Sequence, residues 1–325
     1  MLNDIYQSLD PVAFTLGPLT VRWYGLAYIA GFICAAFVLW RIAKRWRVRV
    51  NEDALLTIML CVIIGVILGG RLGYVLVYGN GYYFSHPTEI LAFSNGGMSF
   101  HGGLIGALLA GIVAAKFTRI PYLTLADMGC IAAPIGLFFG RCANFVNGEL
   151  WGAPTDLAWG VVFGGTAGTM PRHPSQLYEA FLEGIVLFAV LFLLSRRRPP
   201  RPRGTFLGTF LMLYGIFRFA IEFVRQPDAQ IGYLWGGWLT MGQVLSVPLV
   251  IAGVVVLAHA AKTKLPQQGL EVPAGEGAGA PAEVEISPAQ AARSDSEANP
   301  SDAADEAAPV SAEKGHAGQA SSSKE

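Results

Sequence analysis

The chain has 325 residues, 53% of them hydrophobic and 14% charged, with a mean hydropathy of +0.45. A soluble globular protein carries more charge and breaks its apolar residues up, so the composition excludes that class and reads as a polytopic membrane protein. The formal net charge of zero hides an asymmetry, because residues 1–264 hold 20 Lys and Arg against 12 Asp and Glu while residues 265–325 hold 3 against 11.

Seven apolar runs approach the roughly 20 helical residues needed to cross a hydrocarbon core. In chain order they are Val21–Trp40, Ala54–Tyr78, Ser99–Phe117, Leu123–Phe139, Leu177–Leu194, Thr205–Val224 and Leu239–Ala260. The first is preceded by Asp4 and Asp10 rather than by a basic segment, and no small-residue cleavage site follows it, so it is kept as a span. Arg41 to Arg49 follow the first run, Lys116 and Arg119 the third, and Arg196 to Arg203 the fifth. The positive-inside rule makes those loops cytoplasmic, with the amino terminus outside and the carboxyl terminus inside. Expected, then, is an all-α protein of about seven transmembrane helices, spanning residues 1–264. The acidic remainder, residues 265–325, lacks aromatic residues and is rich in Ala, Glu, Ser, Pro and Gly. Such a segment cannot bury enough apolar surface to fold, so it is expected to be a disordered cytoplasmic tail, dispensable for activity.

This topology sorts the polar residues by depth. Tyr24 opens the first run, Arg71 lies late in the second, His101 opens the third and Arg141 ends the fourth. The fifth run begins with His173, Gln176, Tyr178, Glu179 and Glu183, and the sixth ends with Arg218, Glu222 and Arg225, spaced to share one helical face. All of these fall toward the outer side. An arginine in the bilayer costs about 2.5–3.5 kcal/mol on insertion scales, so several at one level imply partners or water. A polar cavity facing the outer leaflet is expected. Glycines recur at four-residue spacing, Gly65/Gly69/Gly73, Gly102/Gly106 and Gly136/Gly140, which reads as close helix packing.

The most informative stretch is GRCANFVNGELWG, residues 140–152, where Arg141, Asn144, Asn147 and Glu149 leave an apolar run together. A guanidinium pairs bidentately with phosphate, and carboxamides donate to and accept from hydroxyls, so this set suits an anionic, hydroxyl-rich ligand. His101 lies in GGMSFHGG between paired glycines, where an imidazole can exchange protons near neutral pH. Cys34, Cys61, Cys130 and Cys142 lie in or beside apolar runs without a CxxC pair, so they read as structural thiols. Serine-hydrolase, P-loop and zinc-protease motifs are absent from the sequence. A transporter or flippase would also place arginines at a membrane cavity, although it would show internal repeats and midplane polar residues. A non-catalytic lipid-binding protein would use the arginines and asparagines without needing His101.

GRCANFVNGELWG resembles the signature of the bacterial phosphatidylglycerol-prolipoprotein diacylglyceryl transferases. The blocks VRWYGLAYIAG, GGRLGY, GGMSFHGG, HPSQLYE, RFAIEFVRQPD and MGQVLS extend the resemblance over roughly residues 10–260. It implies an enzyme of the bacterial cytoplasmic membrane. That enzyme moves the diacylglyceryl group of phosphatidylglycerol onto the lipobox cysteine thiol of a prolipoprotein, forming a thioether and releasing glycerol phosphate. Carried over residue by residue, His101, Arg218 and Tyr24 are expected to be catalytic. Arg141, Asn144, Glu149, Gly152 and Glu222 are expected to bind substrate. The expected partners are phosphatidylglycerol, lipobox-bearing signal peptides and membrane lipid; no metal, other cofactor or nucleic acid is implied.

Overall fold

The amino terminus of the computed structural model contains two elements that hydropathy did not indicate. They are a short helix α1, Leu2–Gln7, and an antiparallel hairpin of β1, Val12–Leu16, and β2, Leu19–Arg22. The long regular elements that follow are helices. The helices are α2, Trp23–Trp46; α3, Glu52–Tyr78; the one-turn α4, Tyr82–Ser85; α5, Phe100–Thr118; α6, Tyr122–Asn147; α7, Ser175–Ser195; α8, Thr205–Ile221; and α9, Met241–Thr263. The structure describes residues 1–267 except 18, 80, 93–95, 199 and 228–231. The expected acidic tail lies outside the described residues from 268 onward. Leu265–Gln267 belong to the described part, and Gln267 is buried.

Six of these helices, α2, α3, α5, α6, α7 and α9, are long and apolar enough to cross a membrane. The chain is therefore a multi-pass, predominantly helical membrane protein. The sixth expected run, Thr205–Val224, forms α8, an apolar helix of 17 residues. The helix ends follow local chemistry. The Asn51 side chain accepts the Ala54 N–H at the start of α3, Ser99 accepts that of Gly102 at α5, and Thr240 with Gln243 makes a reciprocal capping box at α9. Arg47, Arg119 and Lys264 stop α2, α5 and α9 in the left-handed conformation, each after a last turn that carries a basic residue.

The bundle is assembled from three close pairs, α3 with α5, α8 with α9, and α2 with α6; α6 also touches α5, α7 and α8 and so lies at its centre. Between α3 and α5 the backbones meet. A methyl group placed on Gly65 would lie 2.6 Å from both the Gly106 carbonyl oxygen and the Ala110 Cβ, and one on Gly73 would lie 2.6 Å from the Gly102 Cα. Small residues thus give the close approach that apolar lipid cannot drive by itself. The expected packing role does not extend to Gly140, beside which an added Cβ meets nothing within 4 Å. Gly106→Ala is therefore expected to lower the unfolding temperature in detergent by several degrees, as overpacking costs about 1–3 kcal/mol. Gly140→Ala should leave it within a degree or two. Equal shifts for the two would contradict this packing.

The apolar core lies at one end of the bundle, where Leu39, Ile42 and Trp46 of α2 meet Leu125, Met128 and Ile131 of α6, Leu187 and Leu191 of α7, and Phe206 of α8. Asp127, fully buried at this end of α6, accepts the backbone N–H of Gly204 at 2.7 Å and of Leu207 at 2.8 Å, and the side-chain amide of Gln267. One carboxylate therefore caps α8 and fastens the residues just beyond α9. Arg71, near the other end of α3, is also fully buried. It donates to the carbonyls of Glu89, Ile90, Gly96 and Gly97, so this guanidinium organises a loop rather than facing a cavity.

Candidate active site

At the end of the bundle away from the core, α6 terminates in the expected stretch. Gly148 takes the left-handed conformation with φ of 67°, and its N–H closes the helix on carbonyls of the last turn. A Cβ there would collide with the Tyr6 hydroxyl, while the Tyr6 ring packs edge-on against Phe145 and Phe163. The amino-terminal helix thus supports the loop that carries the site. Glu149 is turned back toward α6, where its Oε1 accepts from Asn144 Nδ2 at 2.8 Å and Asn147 Nδ2 at 3.3 Å. Two amides thereby aim one exposed carboxylate. Gln176 of α7 holds the Glu149 carbonyl at 2.7 Å and Ser175 that of Leu150 at 3.1 Å, which fixes the loop to the next helix.

The arginines are joined through buried carboxylates. Arg141 Nη2 lies 2.7 Å from Glu179 Oε2 and 3.9 Å from Glu183, and Arg218 Nη1 reaches the same Glu179 oxygen at 3.0 Å. Arg218 Nη2 pairs with Glu222 Oε1 at 2.6 Å, and Arg225 reaches that oxygen at 3.2 Å. The other Glu222 oxygen accepts the Thr240 hydroxyl at 2.7 Å, at the start of α9. The carboxylates are the inner members. Glu179 and Glu183 are 0% exposed and Glu222 4%, against 18% for Arg141, 13% for Arg218 and 15% for Arg225. Such guanidiniums, held by carboxylates behind, offer their remaining N–H groups to an anion.

The expected residues therefore separate into groups. Arg141, Arg218 and Glu222 fall in one network, and Asn144 of α6 and Glu149 just beyond that helix form a second pair beside it. Tyr24, at the start of α2, hydrogen-bonds Tyr28 at 3.1 Å and interacts electrostatically with both Arg141 and Glu149. Gly152 has a backbone role. Its N–H donates to the His173 carbonyl at 2.9 Å, and a Cβ would lie 2.5 Å from the Val224 carbonyl oxygen, so glycine lets three strands of loop meet. His101 is exposed in the first turn of α5, on the α3–α5 pair, while the ion-pair network comes from α6, α7, α8 and the residues just after α8. Glu179, Glu183, Gln176 and Arg225 were legible as outer polar residues but without assigned roles. Thr240 was missed altogether.

His173, just before α7, sits against the Tyr178 hydroxyl at 3.3 Å, and that hydroxyl accepts from Trp159 Nε1 at 2.7 Å. Burial pushes the His173 imidazole below its ordinary value of 6.5. A depressed folded value means the unfolded chain binds the extra proton more readily. The contribution is therefore complete above about pH 6.5 and is lost as pH falls toward the folded value. His173→Gln is expected to flatten the decline of unfolding temperature between pH 7 and pH 5. An unchanged slope would show that His173 is not its source.

Among the described residues no three His, Cys, Asp or Glu side chains converge to hold a metal ion. The four cysteines are unpaired and half-buried. A groove of about 640 Å³ lies at the opposite end of the bundle, between the start of α3 and the end of α5, lined by Arg49, Asn51, Asp53, Phe117 and Thr118 among others. It contains none of the expected site residues.

The family model described as prolipoprotein diacylglyceryl transferase matches residues 11–259. Similar proteins carry the name phosphatidylglycerol-prolipoprotein diacylglyceryl transferase. That of Geobacter sulfurreducens is 49% identical over 260 residues, covering 80% of this chain and 98% of the relative. That of Rhodospirillum centenum is 51% identical over 258 residues, covering 78% and 93%. That of Pseudomonas paraeruginosa is 48% identical over 255 residues, covering 78% and 95%.

Proposed function

The chain belongs to the prolipoprotein diacylglyceryl transferase family, and from that premise we propose that its arginine-carboxylate network is the receiving site for the phosphate of phosphatidylglycerol. The protein is a transferase that moves diacylglyceryl from phosphatidylglycerol to a prolipoprotein. In the proposed reaction the lipobox cysteine sulfur loses its proton and attacks the glyceryl carbon. The carbon–oxygen bond to phosphate breaks as the carbon–sulfur bond forms, and glycerol phosphate departs with the bonding electrons. A thiolate nucleophile and a stabilised leaving anion are the two requirements of that displacement.

The observation that carries this reading is the pair Arg141 and Arg218, partly exposed and anchored from behind on one oxygen of Glu179. These guanidiniums hold the phosphate and stabilise the charge that grows on it. Glu149, aimed by Asn144, accepts hydroxyls of the glycerol head group. His101 takes the thiol proton, a role supported by its exposure and by the family motif, and Tyr24 lines the phosphate side of the site. Glu222 holds Arg218 in place.

The same reading sets the orientation. Arg41 to Arg49, Lys116, Arg119, Arg196 to Arg203 and Lys262 lie around the end that contains the apolar core, which the positive-inside rule assigns to the cytoplasm. The arginine network then faces the outer leaflet of the bacterial cytoplasmic membrane, where a signal peptide presents its cysteine. The acidic stretch that follows supplies no catalytic residue. The family match ends at residue 259, and about four-fifths of this chain spans nearly all of each relative. A truncation that tests this should keep Gln267, which Asp127 holds.

The test supplies purified protein with acyl-labelled phosphatidylglycerol and a lipobox peptide. Thioether-linked diacylglyceryl peptide is expected, with none from a Cys→Ser peptide. Label on the serine peptide, or unmodified peptide after incubation with folded enzyme, would contradict the proposed chemistry.

A further inference from the structure

The arginine network has a joint at Glu179, the last residue of HPSQLYE. Among the described ion pairs Glu179 is the one carboxylate that contacts both Arg141 and Arg218, and it does so through a single oxygen. The two guanidinium nitrogens therefore cannot stand further apart than the sum of those two contacts, a spacing that one phosphate can bridge. The grip on Arg218 is double, because its second nitrogen is taken by Glu222. Glu179 itself is wholly buried while both arginines are partly exposed, so it stands behind them and does not occupy the face a substrate would meet.

The local fold explains how the carboxylate reaches this place. Glu179 immediately precedes a π-helical turn, Ala180–Val186, in the middle of α7. Within that turn Gly184 lies against α6, and a Cβ on it would come within 2.7 Å of the Phe138 Cβ and 3.0 Å of its Cα. Phe138 is one helical turn before Arg141. The glycine contact brings α7 onto α6 where Glu179 meets the guanidinium, and π-turns recur at functional positions for this kind of local adjustment.

We propose that Glu179 is a positioning residue for the transfer, one that sets the spacing and aim of Arg141 and Arg218 through its shared oxygen. The inference rests on the reading of those arginines as the phosphate site. It acts on the step in which charge develops on the leaving phosphate, so misplacing the pair lowers kcat more than it raises KM.

Two variants of the full chain test it, Glu179→Asp and Glu179→Gln. Aspartate keeps the charge and retracts the oxygen by one methylene; glutamine keeps the reach and removes the charge. Both are expected to lower kcat by about 10-fold to 100-fold, the scale of a 1 Å misplacement, with a smaller change in KM for phosphatidylglycerol. The assay is run well below each variant's unfolding temperature, a condition under which a merely structural role leaves kcat unchanged. Adding Arg218→Lys to Glu179→Asp should lower kcat by less than the product of the two separate effects, since both act through one contact. If glutamine prevents folding, the aspartate variant carries the test alone. Wild-type kcat in folded Glu179→Asp, or full multiplicativity with Arg218→Lys, would overturn the inference. Failure of the phosphate reading looks different, because Arg141→Ala would then keep the wild-type rate and KM.

Discussion

Arg141→Ala is expected to reduce diacylglyceryl transfer by about 10²-fold to 10³-fold, the range seen when one preorganised donor to a developing anion is removed. The reason is positional as much as electrostatic. Arg141 ends the central helix, touches Glu179 at 2.7 Å and keeps 18% of its side chain exposed, so it faces both the scaffold and the substrate. Removing it leaves Glu179 still paired with Arg218, whereas Glu183 loses a guanidinium that lay 3.9 Å away. Some loss of stability is therefore expected as well, and Arg141→Lys separates the two effects. Lysine restores a cation beside the carboxylates without the planar fork, so folding should recover more than the rate does. Initial rates of label transfer, measured beside unfolding temperatures, provide the comparison. A folded Arg141→Ala with the wild-type rate would remove Arg141 from the reaction.

Glu222→Ala should be the most damaging single change to the fold of the site. This carboxylate binds Arg218 at 2.6 Å, Arg225 at 3.2 Å and the Thr240 hydroxyl at 2.7 Å, linking the end of α8 to the start of α9. It also fills the space over Gly242, where an added Cβ would run into the carboxyl group. Alanine would take from Arg225 the carboxylate it pairs with and leave Arg218, itself mostly buried, with Glu179 alone. Breaking such a pair from one side costs about 3–5 kcal/mol. The expected result is a marked fall in unfolding temperature and in recovered folded protein, with activity lost alongside. Glu222→Gln keeps the shape and an acceptor oxygen, so its loss should be smaller. Equal stability of Glu222→Ala and the wild type would show that the α8–α9 link lies elsewhere.

The membrane body was legible because its signal is cumulative. Each long apolar run emerged as a helix, since twenty consecutive apolar residues leave a chain in lipid few alternatives. The residues at 140–152 were legible for the opposite reason, as charged and amide groups concentrated where an apolar helix ends. Pairing between helices was not legible. Spacing along α8 shows that Arg218 can meet Glu222, yet nothing in sequence order says that Glu179, 39 positions away, shares an oxygen between Arg218 and Arg141. Asp127 is an isolated charge within an apolar run of the sequence, and only the arrival of Gly204 and Leu207 explains it. Arg71 was placed with the cavity by depth, but its donors are consumed by loop carbonyls. Gly140 shares its four-residue spacing with the packing glycines without sharing their contacts, because spacing assigns a face and not a neighbour. The hairpin before α2, with strands of five and four residues, is too short to register as a hydropathy signal.

The most direct test of the phosphate site is photo-cross-linking of the purified protein with a phosphatidylglycerol whose head group carries the photoreactive group, followed by mapping of the adducts. The account predicts adducts on the end of α6, on residues 148–152 and on the end of α8, and their loss in Arg141→Ala. Adducts confined to the groove beside Arg49 and Thr118 at the other end of the bundle, unchanged in Arg141→Ala, would contradict it.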